Sequence, residues 1–186
     1  MLLGGKISSG VSNEIYSSTD LVNWTLEIDL NDDQLKPVYS PTKWTAWSTR
    51  QFPGSVVYDD GSGEKLWIIG GHDSKVFRND VWYTTDGTNW TLKGDEYNGL
   101  FDVRFDSEMV AFNNKLWHIG GLSKKPGTSL NDIWSSPDGI NWTCERGDYT
   151  LAEHGFTCNN AAPLFDPRWG HNIVVYDNKI WVIGGC

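Results

Sequence analysis

A chain of 186 residues, 39% hydrophobic and with a net charge of -9, has room for one well-buried domain. Its charge is wrong for a nucleic-acid backbone or an anionic membrane surface, since both reward positive charge. No basic run interrupts it and no apolar stretch reaches membrane-spanning length, so neither nucleic-acid binding nor membrane insertion is expected.

The first ten residues, "MLLGGKISSG", lack the apolar core of a secretory signal. A half-unit follows over 1–28. It holds a Gly-Gly pair at 4–5 and then "SNEIYSSTDLVNWTL" at 12–26, with Asp20 and Trp24. A polar insert over 29–49 carries Tyr39, Trp44 and Trp47. A full unit over 50–93 begins at Arg50 and runs through "LWIIGG", ending in Gly70 and Gly71. It closes on "RNDVWYTTDGTNWTL", with Trp82, Asp86-Gly87 and Trp90.

The next unit, 104–145, reads most clearly as four strands. Arg104 leads into "SEMVAF" (107–112), and Asn113-Asn114 is expected to turn the chain because Asn tolerates positive φ. "KLWHIG" (115–120) leads to Gly120 and Gly121, then "NDIWSS" (131–136) with Trp134. Pro137-Asp138-Gly139 turns again into "NWTCE" (141–145) with Trp142. A second insert spans 146–167. A last half-unit, 168–186, opens on "RWGH" with Arg168 and Trp169 and closes on Gly184 and Gly185.

The landmarks keep step. From the first Gly of a pair to the landmark Trp the chain runs from 4 to 24, 70 to 90 and 120 to 142; from the Arg to the pair it runs from 50 to 70, 104 to 120 and 168 to 184. Only the stretch from Trp to the next Arg (24 to 50, 90 to 104, 142 to 168) changes much. Four short strands repeated roughly every 50 residues, with turn signals between, describe a propeller blade.

Three in-step copies resemble kelch repeats. The resemblance rests on the Gly-Gly pair, on Tyr16, Trp82 and Trp134 about a dozen residues later, on Trp24, Trp90 and Trp142 after those, and on the Arg-x-x-His lead-in at 168–171. It implies an all-β propeller of four-stranded antiparallel blades, usually six or seven to a ring. This chain supplies strands for about three, too few to close a ring, and is expected to be part of a longer propeller or half of a six-bladed homodimer.

Each candidate site has a plainer structural reading. Asp86 and Asp138 sit in "DG-x-NW" words that resemble the Asp box of sialidase-type propellers. That motif is a turn remote from chemistry, so these aspartates are read as hairpin turns and the Trp as packing. Arg50, Arg104 and Arg168 precede innermost strands and would converge on the channel mouth as a site for an anionic sugar; otherwise they bridge blades through carbonyls or a carboxylate such as Asp106 or Asp166. His118 stands where other copies have Ile68 and Val182. With Trp44, Trp47 and Trp169 it breaks the repeat and is a candidate ligand contact. Cys144 and Cys158 are a candidate disulfide, which would favour an extracellular or cell-surface setting over the cytoplasm. No cofactor is expected, and no metal-ligand spacing is present; the Tyr/Cys/His copper set of galactose oxidase, which also uses kelch-like blades, has no counterpart here. The reading is a non-catalytic module that recognises a protein or glycan through inter-blade loops. The alternative is a carbohydrate-active enzyme of sialic-acid mutarotase or sialidase type using the Arg-lined mouth.

Overall fold

The computed structural model describes residues 2–8, 10–28, 47–72, 76–94, 101–124, 128–147, 149–151, 156–158, 160–161 and 165–186. Trp44 and Tyr39 lie outside them. The described residues hold sixteen strands and no helix. The first sheet joins β1 (Leu2–Ile7), β2 (Gly10–Ser17) and β3 (Thr25–Ile28) in that order. The second joins β4 (Gly54–Asp59), β5 (Glu64–Ile69), β6 (Val81–Thr84) and β7 (Trp90–Gly94). The third is built from β8 (Arg104–Phe105), β9 (Glu108–Phe112), β10 (Lys115–Ser123), β11 (Ser129–Ser136) and β12 (Thr143–Arg146), with β10 central. A small hairpin of β13 (Tyr149–Leu151) and β14 (Phe156–Cys158) interrupts the second insert, and β15 (His171–Tyr176) pairs with β16 (Lys179–Gly184). All pairings are antiparallel.

The turns explain the registers. Asn113 and Asn114, at φ 49° and 55°, and Asp177 and Asn178, at 51° and 54°, close the β9–β10 and β15–β16 hairpins with two left-handed residues, as a tight hairpin of the right twist requires. Strand β12 starts at Thr143, two residues later than expected, because Asp138 ties up the backbone of 140 and 141.

Interior strands of the second and third sheets are apolar on both faces because each of these two sheets packs between two others. Trp67, Ile69 and Val81 of the second sheet meet Met109, Leu116, Trp134 and Phe101 of the third unit. Ile68, Trp82 and Trp90 turn the other way, onto Ile15 of β2 and Trp47. Tyr58 ties the second sheet to the third through its hydroxyl, which donates to the carbonyls of Asn114 (2.7 Å) and Pro137 (2.9 Å). Trp24, whose equivalents Trp90 and Trp142 pack inward, is 45% exposed.

Candidate functional site

The repeated Asp-Gly word is a turn built around its own carboxylate. In the copy at 84–90, Asp86 Oδ1 accepts from the amides of Thr88 (2.8 Å) and Asn89 (2.7 Å), and Oδ2 accepts from Asn89 Nδ2 (2.7 Å). Asp138 does the same with Ile140 and Asn141, and Asp20 with Val22 and Asn23. The Asn89 side chain, then the Asn89 and Thr88 amides, hold the Asp86 carboxyl well below the usual carboxylate range. The carboxylate already accepts several donors of its own turn, as a turn-forming residue does.

The three arginines share one geometry. The Nε of Arg50, Arg104 and Arg168 donates to the carbonyl two residues back (Ser48, Asp102, Asp166) at 3.2, 3.1 and 3.1 Å. Nη1 donates to the first Gly of the pair (Gly70, Gly120, Gly184) at 2.9, 3.0 and 2.8 Å. Arg50 then forms a two-pronged pair with Asp80 (2.6 and 2.9 Å), and Arg104 with Asp132 (2.6 and 2.8 Å). The same aspartates accept the indole N–H of Trp82 and of Trp134. Burial works to raise the Asp80 carboxyl, but the Arg50 charge and hydrogen bonds from Arg50 and Trp82 outweigh it and hold it low. Arg50 and Arg104 are fully buried. Instead of open guanidiniums at a mouth, Arg50 and Arg104 form clamps that tie neighbouring segments of one sheet together, and the carboxylates are Asp80 and Asp132 rather than Asp106 or Asp166. Arg168 makes the two carbonyl bonds, and no carboxylate meets it among the described residues.

Two parts of this grammar escaped the sequence reading. An aromatic stands three residues before each Arg, as Trp47, Phe101 and Phe165, with the guanidinium carbon 5.5, 5.3 and 5.6 Å from the ring centre. Trp47 is therefore a core residue, fully buried, and not a ligand contact in a loop. An Asn precedes each acidic residue of the third strand. Asn13, Asn79 and Asn131 donate through Nδ2 to the carbonyls of Trp47 (3.3 Å), Phe101 (2.8 Å) and Phe165 (3.2 Å). Each such bond carries one sheet onto the next. The in-step words "WSTR", "FDVR" and "FDPR" were a visible signal for the first.

His118 lies fully buried on β10, with Nε2 2.7 Å from Ser107 Oγ and the ring against Phe101 at 4.6 Å. Burial first, then the charges of Arg104 and His171, drive its pKa well below the usual histidine value. The Ser-His pair is buried. Trp169 exchanges backbone hydrogen bonds with Cys186 (3.2 and 3.0 Å). Cys144 is disulfide-bonded and Cys186 is free. Asn160 Nδ2 donates to the Cys144 carbonyl at 2.6 Å, drawing the stretch after Cys158 up to β12.

Glu108, at the head of β9, is half-buried, and burial and then the charge of Asp106 push its pKa from 4.5 up to about 7. Its folded pKa is raised, so its contribution is present below pH 4.5 and is lost as pH rises through 7. Glu108→Gln is therefore expected to stabilise the fold by about 1–2 kcal/mol at pH 8 and by nothing at pH 4, allowing for partial solvent screening. Thermal unfolding at the two pH values reads this directly; an equal shift at both would show that charge is not the cause.

Four rings gather elsewhere, around one exposed phenylalanine. Phe52, at φ 55° and 48% exposed, stands at the loop before β4. It stacks on His72 (6.3 Å), which stacks on Phe77 (5.3 Å), and Phe105 meets all three within 6.2 Å. Gln51 Nε2 lies 2.9 Å from His72 Nε2. The half-buried Asp106 stands beside them, its carboxyl raised by burial against the opposing charge of His72. The segment before β4, the β5–β6 connection and strand β8 thus bring their rings into one aromatic patch with a carboxylate at its edge. Among the described residues no group of three potential metal ligands comes together.

Stacked antiparallel sheets that share a repeat clamp are what a ring of blades needs, and residues 30–186 match the DUF6242 beta propeller domain. The chain belongs to that family. This propeller is also similar to leucine-zipper-like transcriptional regulator 1 of mouse, of Pongo abelii and of human. It is 24% identical to the mouse and human proteins over 189 residues, 93% of this chain, and to the Pongo abelii protein over 191 residues, 94% of this chain. The match covers 20% of each relative, so the chain spans about a fifth of their length.

Proposed function

We propose that this propeller is a non-catalytic interaction module, built of kelch-type four-stranded blades, that recognises a protein or glycan through the loops between its sheets. The observation that carries the reading is the Phe52–His72–Phe77–Phe105 patch. It offers one exposed ring, Phe52, backed by the half-buried rings of His72, Phe77 and Phe105, with an adjacent carboxylate, the usual placing of a recognition surface. The groups an enzyme reading would use are engaged in the fold: Arg50 and Arg104 by Asp80 and Asp132, and the Asp-Gly carboxylates by their own turns. The relatives carry the name of a regulator. A Cys144–Cys158 disulfide, and with it an oxidising compartment, belongs to the same proposal.

A glycan array read with the wild-type chain and with Phe52→Ala tests this. The expected result is a signal that falls about tenfold or more in the variant, as for loss of an aromatic anchor. An unchanged signal would remove the patch from the binding surface, and a blank array leaves protein as the ligand class. Turnover of a sialoside would end the non-catalytic reading.

A further inference from the structure

One repeat position is more strained than the fold needs. Phe52, Asp106 and Gly170 each stand two residues after a repeat arginine, and each is left-handed, at φ 55°, 56° and 63°. The conformation serves a belt of backbone bonds from sheet to sheet. The Asp106 amide donates to the Phe52 carbonyl (3.1 Å) and the Gly170 amide to the Asp106 carbonyl (3.2 Å). Glycine enters such a belt without steric cost. Aspartate tolerates this region, but a phenylalanine in it is an outlier. Yet Phe52 is 48% exposed, so its ring gains little from packing. Backbone strain without a packing gain is a mark of functional positions.

The groups held at this belt are complementary to a cation. Asp106 follows Phe105 of the patch and feels the charge of His72, and its own charge reaches Glu108 at the head of β9. Among the described residues no lysine or arginine forms an ion pair with either carboxylate. Gln51, 8% exposed beside His72, leaves its Oε1 without a donor. Elsewhere in this fold a ring and an aspartate hold a guanidinium together: Arg50 lies over Trp47 and pairs with Asp80, and Arg104 lies over Phe101 and pairs with Asp132. We infer that the patch, which offers the ring and the carboxylate without the arginine, takes an arginine side chain from an exposed segment of a partner protein. The guanidinium lies on the Phe52 ring and pairs with Asp106, and Glu108 and the net charge of -9 add attraction. Lysine is the poorer occupant, because a compact ammonium cannot stack and make a two-pronged pair at once. The inference rests on the patch being a recognition surface and narrows its ligand to a protein cation.

The probes are N-acetyl-arginine methylamide and its citrulline analogue, which has nearly the same shape and no charge. Each is titrated into the isotope-labelled chain and followed by the amide resonances of Phe52, Phe77, Phe105 and Asp106. Saturable shifts at these amides are expected with the arginine probe, and binding about tenfold or more weaker with citrulline, as for loss of a charged hydrogen-bond pair. Asp106→Gly keeps the left-handed backbone that Gly170 already has and removes the carboxylate. It should weaken the arginine probe by a similar factor while the thermal midpoint stays at or above that of wild type. A lower midpoint with unchanged binding would make Asp106 a structural residue and overturn the inference. No saturable shift at the patch, or equal binding of the two probes, would overturn it as well. The Phe52→Ala array reads the patch as a surface independently, so failure of the arginine probe does not decide that reading.

Discussion

Arg104→Ala is expected to cost roughly 3–5 kcal/mol of folding stability, because it leaves the Asp132 carboxylate buried without its partner. Asp132 is 0% exposed, and the indole N–H of Trp134 that it also accepts cannot neutralise a charge. The guanidinium also holds the Gly120 carbonyl at 3.0 Å and the Asp102 carbonyl at 3.1 Å, so three segments of the chain lose their common anchor. A domain is stable by only about 5–15 kcal/mol, so the change takes a large share of the margin. Urea unfolding of Arg104→Ala, Asp132→Ala and the double variant forms a cycle, and the double variant should cost clearly less than the two single changes added together. Arg168→Ala in the same assay should lie within about 1 kcal/mol of wild type, because this half-buried arginine meets no carboxylate among the described residues and has little to lose. Equal losses at Arg104 and Arg168 would show that the carbonyl bonds, not the ion pair, carry the clamp.

The second large effect separates two causes at one repeat position. The first Gly of each pair has positive φ: 63° at Gly70, 61° at Gly120 and 72° at Gly184. Any side chain there costs about 1–2 kcal/mol in backbone strain. At Gly120 an added Cβ would also lie 3.0 Å from the Arg168 carbonyl oxygen and 3.0 Å from His171 Cε1; at Gly184 nothing comes within 4 Å. Gly120→Ala should therefore cost about 3 kcal/mol or more, the strain plus the cost of overpacking, and Gly184→Ala only the strain. Denaturant midpoints with matching slopes measure both. Similar losses would mean that φ alone demands glycine here.

The fold was legible because it is written three times. Single words such as "LWIIGG" are ambiguous, but copies in step fix the strand order and the turns, and the family match agrees with a propeller. The Asp-Gly turns were legible for the same reason: Asn89 and Asn141 stand where the carboxylate needs a donor. What stayed hidden depends on side chains far apart in sequence. Arg50 meets Asp80 across thirty residues, and nothing local marks that aspartate as its mate. Trp47 lay next to a variable insert and so read as part of it, although its spacing to Arg50 matches that of Phe101 to Arg104. The aromatic patch was invisible because Phe52, His72, Phe77 and Phe105 hold different repeat positions and meet only when the loops of neighbouring sheets converge.

The asparagine bonds from one sheet to the next aromatic carbonyl have a consequence for cooperativity. Each such bond couples a sheet to its neighbour, so these sheets behave as a short array whose stability is a sum of units and of couplings between them. Such an array opens from its outer members inward. Amide hydrogens of β5 and β10, covered on both sides, should then exchange slowest, those of β15 and β16 first, and the gradient between them would measure the strength of each asparagine link.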